Sequence, residues 1–287
     1  MKKGLVLSGG GARGLYAVQL LKRMRDDGFD FRDIKYISGV SVGSIIGAMM
    51  AQNDLDVIID VFPKLVNSDV YLGKIKVLNI FKNRILGRNY VLNIEPLHAL
   101  LSKYIDLDKA QLSGKIFYLG LVDMNTGKYV EFTQHDFSTN EDYIRAIMAS
   151  CSQPVIWKPQ SFHTRKGGVK NGSDGGIITV SPIKCVLNHH PDHVIIINSS
   201  PVVPTVEQGD FTMEGMLMRT IGLAVSESFA KDMEVFQKIN REEPTRRFKS
   251  QIYQTTLNEN SLNFEDNNLR KLRIDNANQH YYYPNPK

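Results

Sequence analysis

The sequence predicts an α/β fold organised around parallel strands, and three observations support that class. Two strand-turn-helix units occur within the first fifty residues, which is the arrangement of parallel βαβ units. The helix of the second unit is apolar on every side, so it must be buried against a sheet. Hydrophobic residues make up 42% and charged residues 23% of the chain, a composition typical of a globular protein with a sizeable core.

The composition also excludes several classes of protein. Lysine and arginine number 35 against 30 aspartates and glutamates, and a net charge of +5 is too small an excess to predict nucleic-acid binding. The two cysteines, Cys151 and Cys185, cannot form a disulfide framework or a four-cysteine zinc site. No apolar run approaches the roughly 18 residues of a membrane span, and Leu5–Leu7 is too short for a secretory signal. We therefore expect a soluble, cytoplasmic protein.

The two N-terminal units can be predicted element by element. A short buried strand at Gly4–Ser8 leads through a glycine-rich loop into a helix at Leu15–Asp27, whose apolar residues recur at helical spacing. A second strand at Lys35–Ser38 is followed by the apolar helix Ser44–Gln52. Each loop joins the carboxyl end of a strand to a helix, so parallel strands would bring both loops to one edge of the sheet.

The rest of the chain predicts further strands and helices. From Asn258 onward the chain is rich in asparagine, and we expect a polar tail that packs loosely. We predict a core over residues 1–200, with a helical extension and tail over residues 201–287 packed on the same domain. The predicted elements are a strand pair at Lys115–Asp123 and Lys128–Thr133, a helix at Glu141–Ser150, a strand at His193–Asn198, helices within Met213–Asn240 and a strand at Arg247–Thr256.

The glycine loop satisfies the G-x-G-x-x-G pattern between Gly9 and Gly14, so a nucleotide-binding module is one hypothesis. Such a site also needs an acidic residue at the end of the second strand, but this strand ends in Ser38–Gly39. Leu15 stands where a phosphate-binding P-loop requires lysine. Nucleotide binding is therefore the weaker interpretation.

A G-x-S-x-G pattern, Gly39-Val40-Ser41-Val42-Gly43, stands between the second strand and the apolar helix. This is the sequence and the context of a nucleophile elbow, in which a serine sits on a sharp, strained turn with its oxygen exposed. The free N–H groups at the start of the next helix favour developing negative charge. The position predicts a serine nucleophile for acyl transfer.

Acyl transfer also needs N–H donors for the oxyanion, and glycines supply them because no side chain blocks the approach. Gly9, Gly10 and Gly11 follow the first strand and should lie at the same sheet edge as the serine. The N–H group of Val42, at the start of the helix, is a further candidate donor.

The general base is less clear from the residues alone. A triad in the order serine, aspartate, histidine could combine Ser41 and Asp174 with one of His189, His190 or His193. The surroundings of these histidines carry no signal of their own. The aspartate itself lies in a glycine-rich stretch that is, out of context, typical of a turn.

Three motifs stand in order along the chain: Ser8-Gly9-Gly10-Gly11-Ala12-Arg13-Gly14, then Gly39-Val40-Ser41-Val42-Gly43, then Asp174-Gly175-Gly176 followed by Pro182-Ile183. Together they resemble the patatin-like phospholipases, and the resemblance extends from about Gly4 to about Ile197. In the stretch Ala149–Pro154, Ser152 stands where the family has alanine.

The resemblance implies a three-layer α/β/α sandwich with a mainly parallel central sheet. It also implies a dyad in which Asp174, without a histidine, activates Ser41, and it makes the loop Gly9–Gly14 the oxyanion hole. The implied activity is hydrolysis of lipid esters, of the phospholipase A or lysophospholipase type, on phospholipid or lysophospholipid substrates. No metal, cofactor or nucleic-acid partner is expected.

The segment Val70–Ile94 mixes lysines and arginines with leucine, isoleucine and phenylalanine. That mixture suits an anionic bilayer surface, so peripheral membrane contact there is one hypothesis, and a packed helical region with a solvated basic face is the other. Two further alternatives use the same catalytic residues: an acyltransferase, and a latent phospholipase switched on by a ligand or partner. The sequence predicts neither head group nor oligomeric state.

Overall fold

The computed structural model describes residues 1–73, 87, 89–201, 212–242, 249–257 and 261–282. Within these residues eight strands form one sheet, in the order β5-β6-β3-β2-β1-β7-β8, with β4 paired to β3 outside that path. The strands are β1 Lys3–Leu7, β2 Ile34–Val40, β3 Ile116–Asp123, β4 Lys128–Thr133, β5 Gln160–Thr164, β6 Gly167–Asp174, β7 His193–Asn198 and β8 Lys249–Gln254.

The centre of the sheet is parallel and one side of it is antiparallel. Strands β3, β2, β1, β7 and β8 run in the same direction. Strands β4, β5 and β6 form the antiparallel pairs. The prediction of a mainly parallel α/β sheet is confirmed.

Helices cover both faces of this sheet. Along β1, Leu5 and Leu7 pack with one apolar cluster and Val6 with another, because successive side chains of a strand point to opposite faces. The helices are α1 Gly14–Asp26, α2 Val42–Ala51, α3 Leu55–Val61, α4 Asn67–Val70, α5 Glu95–Tyr104, α6 Leu107–Leu112, α7 Asn140–Cys151, α8 Ile183–Leu187, α9 Met213–Glu242 and α10 Asn267–His280.

The two clusters identify the layers. The larger one joins α1, α2, α5 and α7 to one face, and the smaller one joins α8 and the side chain of Phe236 on α9 to the other. Helix α2 approaches the sheet closely because a side chain at Gly47 would meet the ring of Phe117 at 2.5 Å. The three-layer arrangement implied by the resemblance is confirmed.

The prediction of a loosely packed polar tail after Asn258 is wrong. Helix α10 packs against α1, and its residues Arg273, Asn276 and Ala277 are buried. The buried amide of Asn276 accepts a hydrogen bond from the Thr255 hydroxyl at 2.8 Å. This hydrogen bond joins α10 to the segment that follows β8, so the polar composition of the tail does not make it loosely packed. Strand β8 likewise extends the sheet, while the domain division at residue 200 stays a prediction.

Two further observations concern membranes. Among the helices of the described residues, none combines the length and apolarity that crossing a bilayer requires. Most of the predicted lipid-contact segment Val70–Ile94, namely residues 74–86 and 88, lies outside the described residues. Its flanks are joined by a bridge between Leu72 and Asn93.

Candidate active site

Two strands arrive at the candidate site from opposite directions along one edge of β3. Strand β4 occupies the other edge of β3 from Tyr118 to Asp123. Strand β2 pairs with the first half of β3 and ends with Val40 opposite Gly120, whereas β6 pairs with the second half and ends with Asp174 opposite Leu121. The residue after Val40 is Ser41, so the topology itself brings the predicted nucleophile and base together.

Ser41 has the strained backbone of a nucleophile elbow. Its φ of 55° and ψ of −131° are unusual for a residue with a side chain. The turn is tight enough that a side chain at Gly39 would overlap the carbonyl of Gly43. A side chain at Gly43 would overlap the carbonyl of Leu7 on the neighbouring strand. The small residues predicted from the G-x-S-x-G pattern are therefore required by close backbone approach.

A buried hydroxyl holds this turn in place. The Ser150 hydroxyl accepts a hydrogen bond from the Ser41 N–H at 2.9 Å and donates one to the Gly120 carbonyl at 2.6 Å. Ser150 lies in α7 and has no exposed surface. It therefore ties the backbone of Ser41 to strand β3, and sequence reasoning had not singled it out.

Asp174 ends β6 as a buried carboxylate, with only 4% of its surface exposed. Burial raises the pKa of Asp174 to about 6, while hydrogen bonds from the Gly176 N–H and the Ser41 side chain lower it. The Gly176 N–H donates to its Oδ1 at 2.8 Å. A carboxylate with this pKa, next to a serine hydroxyl, can act as a general base near neutral pH.

The glycine loop supplies two N–H groups that make no hydrogen bond among the described residues, those of Gly10 and Gly11. The Gly9 N–H, in contrast, donates to the Val180 carbonyl at 3.3 Å, so it is already engaged. A side chain at Gly9 would lie 3.1 Å from the Ser41 Cβ, so Gly9 lies directly against Ser41. Val42, the first residue of α2, presents its N–H at the start of that helix.

The other motif residues support this arrangement. A side chain at Gly14 would meet Val42 at 2.6 Å, and one at Gly175 would meet the carbonyl of Gly120 at 2.9 Å. The Arg13 guanidinium donates to the Gly10 carbonyl at 3.4 Å and to the Ser200 hydroxyl at 3.4 Å. Arg13 therefore braces the turn of the glycine loop.

Two cavities meet at Ser41. One, of about 60 Å³, is lined almost entirely by apolar side chains of α2, α3 and α5, such as Met49, Ile58 and Leu101. The other is a wide cleft of about 580 Å³ that includes Asp174 and one side of α9. Ser41 is the one described residue that lines both cavities. A substrate with an apolar arm and a bulkier polar part could therefore place the bond between them at the serine.

Comparison with known proteins agrees with this geometry. The model of the patatin-like phospholipase family matches residues 5–186, which is more than half of the chain. The chain belongs to the patatin-like phospholipase family. This membership supports lipid acyl hydrolysis as the chemistry of the site.

The individual relatives match only parts of this patatin-like chain. Uncharacterized protein R571 of Acanthamoeba polyphaga mimivirus is 55% identical over 49 residues, 17% of this chain and 16% of that protein. Patatin-like phospholipase domain-containing protein ZK370.4 of Caenorhabditis elegans is 40% identical over 57 residues, 20% of this chain and 4% of that protein. The matches therefore span a sixth or less of the curated relatives. The crystal structure of VipD from Legionella pneumophila aligns with 97% of this chain and 66% of its own, at 14% identity and a TM-score of 0.43.

Two of the histidines considered for a triad lie away from Ser41 in this patatin-like chain. His193 begins β7 beside Lys3, at the amino end of the parallel strands, whereas Ser41 follows their carboxyl end. His189 stacks on the ring of Tyr36 and bonds the hydroxyl of Tyr118 on the β-sheet face. No histidine is among the described residues that line either cavity. The geometry favours the two-residue arrangement over the triad.

The patatin-like core is also tied to α9, which sequence reasoning had not connected to the site. The Asp232 carboxylate of α9 accepts hydrogen bonds from the N–H groups of Val180 and Ser181 at 3.0 and 2.9 Å. Burial raises the pKa of Asp232 to about 7. The carbonyl of Val180 in turn accepts the Gly9 N–H, so α9 reaches the glycine loop through a single residue.

Proposed function

We propose that this protein hydrolyses carboxylic esters of phospholipids or lysophospholipids through Ser41 and Asp174. The observation that carries the proposal is the position of Ser41 at the junction of an apolar cavity and a wider cleft of mixed polar and apolar lining, next to a buried carboxylate. The apolar walls of the first space suit the part of an acyl chain next to the ester, and the wider cleft suits the remainder of a lipid. Family membership supports the same chemistry.

In the acylation step, the Ser41 Oγ attacks the acyl carbonyl carbon while Asp174 accepts the hydroxyl proton. The new C–O bond forms as the carbonyl electron pair moves onto its oxygen, giving a tetrahedral oxyanion. Gly10, Gly11 and Val42 are the proposed donors to that oxyanion because their N–H groups make no other hydrogen bond among the described residues. The bond to the leaving alkoxide then breaks, and the alkoxide takes the proton from Asp174.

In the deacylation step, a water molecule attacks the acyl-enzyme and Asp174 accepts its proton. Collapse of the second tetrahedral intermediate releases the fatty acid and returns a proton to Ser41. Each proton that Asp174 accepts is passed on, so the carboxylate is regenerated. The strained backbone of Ser41 keeps its oxygen directed at the junction of the two cavities during both steps.

The proposal is tested by fatty-acid release from phospholipid and lysophospholipid vesicles with EDTA present. We expect Ser41→Ala and Asp174→Asn to lose nearly all of the wild-type rate, at least about a thousandfold, as expected for essential groups. Ser161→Ala and Asp108→Asn are matched controls, because both residues are exposed and line neither cavity. A wild-type protein that releases no fatty acid, and whose Ser41 does not react with a fluorophosphonate, would refute the proposal.

A further inference from the structure

Five exposed large apolar residues lie in or directly beside the lining of the cleft: Val155 and Ile177 line it, and Ile178, Met216 and Leu223 each follow a residue that does. Water-exposed apolar residues are ordinary when scattered singly, but a group at the mouth of one cavity indicates a contact surface. We call this group the rim: Val155, 47% exposed, Ile177, 41%, Ile178, 45%, Met216, 53%, and Leu223, 43%.

Three separate parts of the chain bring the rim together. Val155 and Ile177 line the cleft directly. Ile178 follows Ile177, and its carbonyl accepts a hydrogen bond from the Ser228 hydroxyl of α9 at 3.0 Å. Leu223 on α9 stands between two residues that line the cleft. The rim is therefore built from different segments around one opening, which a chance run of apolar sequence would not produce.

Val155 is held in the rim despite an unfavourable backbone. Its φ of 67° lies in the left-handed region, where a β-branched residue is an outlier. Its carbonyl accepts a hydrogen bond from the Val91 N–H at 3.0 Å, which fixes this part of the chain. Strained residues persist where the surrounding structure imposes them, and they concentrate at functional sites.

The charges inside the opening fit the same partner. Among the described residues that line the cleft, the cations are Arg13 and Arg219 and the carboxylate is Asp174. Asp174 is buried at the end of β6, whereas both arginines lie on the cleft wall. Guanidinium groups are suited to phosphate esters, and an apolar rim is suited to acyl chains.

We propose that the rim docks on the surface of a phospholipid bilayer. The apolar side chains enter the boundary between head groups and acyl chains, and the cleft opens onto the lipid layer. An acyl ester can then pass from the bilayer to Ser41 without crossing water. The proposal rests on the proposed function and places membrane contact at the cleft, whereas the sequence offered such contact at Val70–Ile94 as one of two hypotheses.

Sedimentation with vesicles tests the proposal without hydrolysis when every variant carries Ser41→Ala. The test pair is Val155→Ser with Ile177→Ser, and the matched control pair is Val235→Ser with Leu272→Ser. All four residues are exposed to a similar extent, between 41% and 49%, but only the test residues line the cleft. With vesicles of phosphatidylcholine and phosphatidylglycerol, we expect the test pair to lower the partition coefficient about tenfold, from the loss of apolar insertion, and the control pair less than about twofold.

Equal losses in the two pairs, or no loss in the test pair, would overturn the proposal. Binding that the test pair leaves intact but that about 0.5 M salt removes would assign membrane contact to a basic surface instead. A Leu223→Trp variant covers the case in which the serine pair does not fold. Its fluorescence should shift to the blue when vesicles are added, and that of Val235→Trp should not; the natural Trp157 is buried in both.

The outcome is distinguishable from failure of the proposed function. Vesicle binding in the Ser41→Ala background needs no chemistry, so the rim can be right even if no fatty acid is released. Conversely, wild-type protein that hydrolyses dispersed lysophospholipid, while its rim variants bind vesicles like the control pair, would retain the proposed function and remove the docking surface.

Discussion

Replacing Ser150 with alanine should damage catalysis although this residue touches no substrate. Its hydroxyl holds the Ser41 N–H at 2.9 Å and the Gly120 carbonyl at 2.6 Å, in a region closed to water. The variant leaves the Ser41 N–H without its acceptor, and a buried unsatisfied group costs about 1–3 kcal/mol. The strained turn at Ser41 can avoid that cost only by moving, which displaces the nucleophile.

The two effects can be measured separately. We expect Ser150→Ala to lower the free energy of unfolding, from urea titration, by about 1–3 kcal/mol. We also expect kcat for ester hydrolysis to fall about ten- to a hundredfold with little change in KM, because small displacements of a reacting group cost rate. A purely structural role would lower stability and leave the kcat of the folded fraction unchanged.

Ser152→Ala is the matched control. Ser152 is as fully buried as Ser150, but its hydroxyl donates to the Met148 carbonyl of its own helix, at 2.8 Å. The patatin-like family resembled by this stretch has alanine at that position, so this variant should keep the wild-type kcat. If Ser150→Ala retains kcat within about twofold of Ser152→Ala, the positioning role is refuted.

Three further predictions concern the glycine loop and the two buried carboxylates. Gly10→Ala should lower kcat at least about a hundredfold with a smaller change in KM, because its methyl would lie 2.8 Å from the Ser199 carbonyl and displace an oxyanion donor. Gly28→Ala controls for a loss of stability alone, because nothing lies within 4 Å of its methyl and the φ of 82° disfavours alanine. The value of kcat/KM should rise as the pH increases through about 6, because burial raises the pKa of Asp174 to about 6 and the reaction needs its carboxylate. A value of kcat/KM that stays constant between pH 5 and 8 would contradict Asp174 as the base. Burial raises the pKa of Asp174 to about 6 and that of Asp232 to about 7, above the value of about 3.9 in the unfolded chain. The stability that the two protonated carboxyl groups contribute is therefore complete below pH about 3.9, and it is lost as the pH rises through these two folded-state pKa values. Urea unfolding at several pH values should show this decline, and Asp174→Asn with Asp232→Asn should flatten it.

The site was predictable where the sequence carries a local pattern with a physical cause. Ser41 and its flanking glycines were predicted because a tight strand-to-helix turn leaves few choices of residue, and the structure gives that turn a φ of 55° at the serine. The order of the motifs predicted the family. The roles of Ser41 and Asp174 remain proposals that rest on their position.

Other features depend on which distant segments meet, and no local pattern reports that. Ser150 and Asp232 are an ordinary serine and an ordinary aspartate in predicted helices, and they matter because one lies against Ser41 and the other against Val180. The packing of helix α10 through three buried residues was missed for a related reason. Its polar residues are satisfied by partners elsewhere in the chain, such as Thr255, so composition alone predicted exposure.

The topology also explains how a two-residue site could work without a histidine. In a triad, an imidazole bridges the gap between a serine and a more distant carboxylate. Here β2 and β6 end against neighbouring residues of β3, Gly120 and Leu121, so the carboxylate of Asp174 reaches the serine region directly. An aspartate with the usual pKa would be too weak a base for that role. Burial makes the carboxylate more basic by raising the pKa of Asp174 to about 6. The position at the end of β6 that brings Asp174 to Ser41 therefore also buries its carboxylate, and that burial makes it a stronger base.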